Sequence, residues 1–206
     1  MGRGSETRDR IVAEARQVFA RKGYDGATMA EIARRVQITE GAIYRHFAGK
    51  EKLFLACVVP VIAEGFARSL AEVEAARDLP GMVRALVQVR LELIERHLDT
   101  FDILFGEGLH RPELRELMDA EIRAQVERVA LVVERLRRTG RLRRQPNLGI
   151  LGLGMTAAMW AILRFRSEQS ESERLLNIPS TRDQLVNELS AFMLHGLAGE
   201  PAEGTE

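Results

Sequence analysis

Tyr44, Arg45, His46 and Lys50 bring a phenol, a guanidinium, an imidazole and an ammonium within seven positions, after the hydroxyl of Thr39, the acid of Glu40 and a bare Gly41. No carboxylate stands nearby in the pattern that acid–base catalysis needs, and no nucleophile is paired with a base. Donors gathered without acids suit the recognition of an acceptor-rich surface, such as the phosphates and base edges of a nucleic acid.

The elements that position these groups are helices. Apolar residues recur at three and four along nearly the whole chain, and convincing period-two alternation is missing, so the fold class is all-α. Ser5 to Lys22 places Ile11, Ala15, Val18 and Phe19 on one stripe and ends at Gly23, a residue able to turn left-handed. Thr28 opens a short second helix, with Glu31 three residues on completing a capping box and with Ile32 and Val36 inward. Gln37 to Thr39 is the turn. Thr39 caps a third helix, Glu40 to Phe47, whose Ile43 and Phe47 lie one turn apart and face inward. A fourth helix starts near Lys50 and runs through Phe54, Val58 and Phe66 toward Ala76, with Pro60 as a point of bending.

Two short helices joined by a three-residue turn and braced by another make a helix-turn-helix, whose second helix enters a DNA major groove. With Ile43 and Phe47 inward, Gly41, Ala42, Arg45 and His46 face outward and Tyr44 sits on the flank. Gly41 and Ala42 let the backbone approach base edges, and the Ala42 methyl can pack on a thymine methyl. Arg45 offers a bidentate fork to guanine, while Tyr44, His46 and Lys50 are donors for phosphate oxygens.

Residues of about 7 to 54 resemble the DNA-binding domain of the TetR family of bacterial transcriptional regulators. The shared pattern is carried by Ala15, Phe19, Ala20, Gly23, Tyr24, Ala27, Thr28, Met29 and Glu31 to Ala33. It continues at Thr39, Gly41, Tyr44, His46, Phe47, Lys50, Leu53 and Phe54. The resemblance implies a homodimer in which Thr28, Thr39, Gly41, Tyr44, His46 and Lys50 contact the operator, and a C-terminal helical domain that binds a small-molecule effector and dimerises. Two positions depart from the family's pattern. Gln37 replaces the usual glycine of the turn, which must then tolerate a side chain, or Gln37 itself reaches DNA. Glu40 replaces a frequent lysine and either repels phosphate or accepts from a cytosine amine.

The expected organisation is a DNA-binding domain over residues 1–53, a helical effector-binding and dimerisation domain over 54–199, and a disordered tail over 200–206. Charge follows this division: residues 1–53 hold 11 Lys+Arg against 7 Asp+Glu, and the remainder 19 against 23, within a chain of zero formal net charge. A basic unit ahead of an acidic body suggests a segment that meets a polyanion. Beyond residue 78, Pro80, the "GEGLHRP" stretch, Gly140, Pro146 and Pro179 divide the body into helices over Pro80–Thr100, Phe101–Phe105, Pro112–Arg138, a segment after Pro146 to Phe165, and Thr181–Leu197. The stretch "RSEQSESER" reads as a polar loop.

The 16 uncharged residues from Leu148 to Leu163 fall short of the ~20 of a membrane span. With glycines inside and Arg164 flanking, they read as a buried helix, and no membrane partner is expected. The single Cys57 excludes an intramolecular disulfide. His97, His110 and His195 are scattered without ligand spacing, so neither metal nor cofactor is expected. The start of the chain lacks a secretory pattern, and a cytoplasmic location follows. The arginine-rich "RLRRTGRLRR" is explained by the helix macrodipole and by ion pairing with acids elsewhere in the body.

Met155, Met159 and Trp160 are either ordinary core or, with Phe66, Phe101 and Phe105, walls of an effector cavity. A homodimer interface is expected on two helices, over Asn147 to Phe165 and Leu185 to Leu197. Small Gly152, Ala157 and Ala161 would let a partner helix approach, and Leu189, Phe192 and Met193 form a second stripe. The function that follows is a ligand-responsive repressor on a palindromic, double-stranded DNA operator. An architectural or chromosome-organising protein of similar fold, without an effector, is the alternative. An enzyme is not expected.

Overall fold

The computed structural model describes residues 3–140, 150–167, 179 and 181–198, and the elements among them are all helical. In chain order they are α1 (Arg3–Gly26), α2 (Met29–Val36), α3 (Glu40–His46), α4 (Lys50–Ala75), α5 (Leu79–Arg96) and α6 (Leu98–Ile103). A π-helical turn, Leu104–Gly108, precedes α7 (Pro112–Arg138), and a second one, Ile150–Gly154, leads into α8 (Met155–Ser167). The last is α9 (Arg182–Ala198). The "RLRR" after Gly140, the beginning of the apolar stretch at 148, most of the polar segment 166–174 and the tail lie outside the described residues.

The chain divides into two compact units, Met1–Glu64 with His97–Arg123, and Gly65–Arg96 with Ala124–Glu206. This is not the linear division expected at 53/54. The chain returns to the first unit because α6 and the π-helical turn after it pack on α1. Both Phe101 and Phe105, in that returning stretch, therefore belong to the first unit, with ring centroids 6.3 Å apart.

The core of the first unit is the stripe the periodicity marks. Ile11, Ala15, Val18 and Phe19 of α1 are buried, as are Ile32 and Val36 of α2, Ile43 of α3, Phe47 just after it, and Leu53, Phe54, Cys57 and Val58 of α4. Each fully buried large side chain contributes about 1.5–3 kcal/mol. Phe54 meets both Phe19 and Tyr24 edge-on, at 5.7 and 5.5 Å between centroids, while Phe19 and Tyr24 stack at 5.9 Å. Burial pushes the Cys57 thiol up to about 12, and its Sγ donates toward the Val12 carbonyl at 3.7 Å, so this cysteine is packing and not a nucleophile.

In the second unit α9 packs on α5, and α8 packs on α5. Thr181 begins α9 with a capping box, its Oγ1 accepting from the Gln184 N–H at 3.2 Å while the Gln184 side chain accepts from the Thr181 N–H at 3.4 Å. Arg137 and Arg138 at the end of α7 both donate to Glu134, whose carboxyl they hold down to about 2. The pairing expected for this basic helix end is thus local.

Among the described residues one helix, α4, is long and apolar enough to cross a membrane by length and composition. Its apolar side chains are instead core: Leu53, Phe54, Leu55, Val58 and Val61 are buried, and Glu64, Arg68, Glu72 and Glu74 interrupt its second half. It passes Pro60 without a break, and Pro60 lies exposed on the outer side.

Two left-handed positions shape the first unit. Gly23 has φ 70° and ψ 178°, a conformation reserved for glycine, and it ends the first run of α1 where the sequence predicts. Gln37 has φ 62° and ψ 43°. It closes α2 in a Schellman turn, its N–H donating to the Arg34 carbonyl at 3.1 Å and the Ile38 N–H to the Ala33 carbonyl at 3.0 Å. A side chain with a Cβ in this region costs about 1–2 kcal/mol, and a glycine recovers that less about 0.5–1 kcal/mol of unfolded-chain entropy. Gln37→Gly is therefore expected to raise stability by about 0.5–1 kcal/mol, visible as a higher urea midpoint at unchanged slope. A lower midpoint would mean that the Gln37 side chain stabilises the turn.

Candidate nucleic-acid interface and ligand cavity

The α2–turn–α3 segment is held at each joint by a side chain. The Thr28 hydroxyl accepts from the Glu31 N–H at 3.2 Å, and the Thr39 hydroxyl accepts from the Ala42 N–H at 3.2 Å. Both threonines are N-caps with extended backbone, exposed, and each keeps its own O–H to donate outward. The capping box expected at Thr28 is half formed. Glu31 turns away to Lys22, with Nζ to Oε2 at 2.7 Å, because the ammonium on α1 offers a charged partner to the carboxylate. A second pair, Arg35 to Glu14 at 2.9 Å, and Arg10 donating to the Val36 carbonyl at 2.8 Å, fasten α2 to α1.

With Ile43 and Phe47 buried, α3 presents the remaining side chains as the sequence predicts. Glu40, Gly41 and Arg45 are exposed, Tyr44 is 48% exposed, and Ala42 and His46 are half-buried. A Cβ built on Gly41 meets nothing within 4 Å. Packing within the chain does not require glycine there. The glycine leaves a bare, exposed spot on the outer side of α3.

Lys50 lies differently from the expectation of a phosphate donor. Its ammonium donates to the carbonyls of Tyr24 at 2.8 Å and Ala27 at 3.1 Å, and sits 4.4 Å from the centroid of the Tyr24 ring. It closes the α1–α2 connection onto the start of α4, satisfying carbonyls that the Gly23 break leaves open, and one of its three N–H groups remains for an outside acceptor. The Tyr24 ring also has the Arg111 guanidinium over it at 5.4 Å. Desolvation, then the nearby Glu51 carboxylate, pushes the Tyr24 phenol pKa up.

The second unit holds a largely apolar, partly open cavity of about 150 Å³. Three helices line it with stripes: Phe66, Ser69, Leu70 and Val73 from α4; Met82, Leu86, Val87 and Arg90 from α5; Val129, Val132, Val133 and Leu136 from α7. Gly152, Met155 and Met159 add the approach to α8 and α8 itself, and Met193 adds α9. Of the residues expected to wall an effector site, Phe66, Met155 and Met159 line this cavity. Half-buried Trp160 is not among the lining residues. Neither are Phe101 and Phe105, which the fold assigns to the other unit.

Two residues expected at a dimer interface, Gly152 and Met193, line the cavity, Met193 being buried. On α9, a shift of one residue rotates a side chain by roughly 100°, and Phe192 is 71% exposed where Met193 is not. Leu189 and Ala157 are half-buried and Ala161 exposed, with Leu153 beside them 48% exposed.

The stripe on α7 was legible as i, i+3, i+4, i+7 spacing. Ser69 and Arg90 were not. The Ser69 hydroxyl is buried without a hydrogen-bond partner. Arg90 lies deep enough for desolvation to push its pKa down while keeping surface on the cavity.

The family profile described as "Bacterial regulatory proteins, tetR family" matches residues 11–57, the α1–α4 segment that builds this face. The amino-terminal segment is similar to that family, over less than half of the chain. The HTH-type transcriptional repressor AcnR of Corynebacterium jeikeium is 37% identical over 84 residues, which are 41% of this chain and 42% of that protein. The chain thus matches less than half the length of that relative. Among solved structures, the fatty acid degradation regulator FadR from Bacillus halodurans superposes with a TM-score of 0.69 at 16% identity, covering 96% of this chain and 97% of that one. A TetR family transcription regulator from Marinobacter aquaeolei VT8 also gives 0.69, at 13% identity and 95% and 97% coverage. At such identities the likeness is one of fold, an N-terminal helix-turn-helix followed by a helical body.

Gly41→Ala separates the two uses of that position. Alanine in a helix is favoured over glycine by up to about 1 kcal/mol, and here it meets no neighbour, so thermal stability is expected to hold or rise. DNA affinity is expected to fall, because the methyl occupies the bare approach. Unchanged affinity in anisotropy titrations would remove Gly41 from the interface.

Proposed function

We propose that this chain is a sequence-specific, DNA-binding transcriptional regulator that works in the cytoplasm as a homodimer on a palindromic operator. On this reading it is a repressor, released by a small, largely apolar effector held in the cavity of the second unit. The observation that carries the DNA-binding part is α3 itself. Two apolar anchors point inward, and a bare glycine, an exposed tyrosine and an exposed arginine point outward from a helix capped at its start. The family profile that the amino-terminal segment matches and the repressor similar to it support the same reading.

Phe192 and Leu153 support the homodimer, since large exposed apolar side chains on helices of the second unit are surface that association would remove from water. The cavity supports effector control over the architectural alternative. A protein that only organises DNA has no need of an apolar cavity, which forgoes packing contacts. Helix α4 is the covalent connection, since its start follows α3 directly and its later residues line the cavity. A ligand that binds the DNA-free form more tightly would shift operator affinity through it, by about 1–3 kcal/mol for a typical coupling.

Selection of bound sites from random duplex DNA tests the central reading, with a palindrome as the expected product. Arg45→Ala should then lose about 1–3 kcal/mol of discrimination at particular base pairs while keeping its general affinity. Recovery of no sequence above background would refute specific regulation. For the assembly, sedimentation at micromolar concentration should give a dimer for the unaltered chain and a monomer for Phe192→Glu. A monomer in both cases would remove the dimer.

A further inference from the structure

Arg90 is an exception among the arginines of its region. Arg68 donates to Glu92 at 2.8 Å, Arg96 also pairs with Glu92, Arg84 donates to Asn187 at 2.5 Å, and Arg182 lies 3.7 Å from Glu95. The acids of α5 are taken by these neighbours. Arg90 makes no hydrogen bond or ion pair among the described residues, yet it lines an apolar cavity. A guanidinium does not give up its proton to escape such a place, so the charge stays and is costly until a counter-charge arrives.

A second unsatisfied group lies on the same wall. Ser69 is 7% exposed and lines the cavity, and its hydroxyl has no partner, not even the carbonyl one turn back that a mid-helix serine often takes. A Cβ on Gly65 would sit 3.7 Å from Arg90 Nη1. The guanidinium therefore lies along the bare face of α4 one turn before Ser69. From Arg90 back to Met82, α5 runs about 12 Å at roughly 1.5 Å per residue. There the wall is an apolar cluster of Met82, Val132 and Leu136 with Leu70, Val73 and Leu86 around it. One end of the cavity is cationic and the other is hydrocarbon.

We propose that the ligand of this cavity is a small carboxylate amphiphile, its carboxylate on Arg90 and Ser69 and its apolar part extending toward Met82. The proposal deepens the effector reading given above and rests on it. A planar carboxylate matches the fork of a guanidinium and can also accept from a serine hydroxyl. A cavity of about 150 Å³ is the scale that accepts benzene, so the apolar part is one ring or a short alkyl chain, with methionines as adjustable walls.

The test titrates the full-length protein with octanoate and with octan-1-ol by calorimetry. Octanoate is expected to bind at least about 10-fold tighter, the worth of a charged hydrogen-bonded contact. In Arg90→Gln that preference should vanish while the alcohol still binds, which shows the cavity intact. Ser69→Ala should weaken octanoate several-fold and leave the alcohol unchanged. Equal binding of acid and alcohol, a preference that survives Arg90→Gln, or binding of neither ligand would overturn the proposal.

A measurement on the unaltered protein keeps it falsifiable if the variants do not fold. The carboxyl of carbon-13-labelled octanoate, followed by NMR, should titrate below the free acid's midpoint when bound, because a cation favours the ionised form. A midpoint above that of the free acid would mean an apolar site alone. Operator affinity with and without octanoate separates this proposal from the reading beneath it. Arg90-dependent binding that leaves operator affinity unchanged retains the carboxylate site and removes effector control.

Discussion

A helix of seven residues cannot hold itself together. Isolated helices below about 12–15 residues are marginal in water, and α3 has only two apolar anchors with which to borrow stability from the rest of the unit. Ile43 is completely buried and Phe47 nearly so, and every feature proposed for DNA reading depends on those two side chains fixing the rotation of the helix about its axis. The surrounding contacts serve this constraint. Thr39 caps the start, the left-handed Gln37 sets the angle of approach, and α2 is tied to α1 through Arg35–Glu14 and Lys22–Glu31. Arg8 lies 4.8 Å from the centroid of the Phe47 ring and shields its edge of the core.

The same logic explains Lys50. A glycine break at the end of α1 frees carbonyls that the helix would otherwise have used, and a long flexible ammonium side chain from the next long helix reaches back to satisfy two of them. Tyr24, stacked beside Phe19 and capped by cations on its face, turns that polar joint into an extension of the core. The resemblance to a DNA-binding pattern and the packing role of Lys50 are compatible, since a residue that braces the reading unit matters to recognition whether or not it touches the operator.

The second unit faces the opposite problem. Side chains from six helical elements converge without filling the space between them, so that the packing is that of a container more than of a core. Ser69 and Arg90 are the polar groups within it that lack partners among the described residues. Their neighbours show that partners were available in this region, since Glu92 and Glu95 hold other arginines. Buried polar groups are generally satisfied, and exceptions placed together at one end of a void give that void a chemical direction.

Sequence by itself determined the local features: helices where apolar residues recur at 3.6, a break at Gly23, caps at Thr28 and Thr39, and the outward side of α3. These follow from backbone geometry within a few residues, which any chain with this pattern must obey. What depended on the partner of a long side chain was decided only by tertiary structure. Glu31 could close a capping box or reach Lys22, Lys50 could meet phosphate or two carbonyls, and each choice turns on what lies across from the side chain. Rotations of the later helices were equally hidden: in a stretch as apolar as Leu185 to Leu197, adjacent Phe192 and Met193 are both plausible on either face, and packing alone put one in solvent and the other on the cavity. Arg90 is the clearest case. Nothing distinguishes it in sequence from the other arginines, because whether an arginine finds an acid depends on distances between helices that the spacing of residues along one helix does not contain.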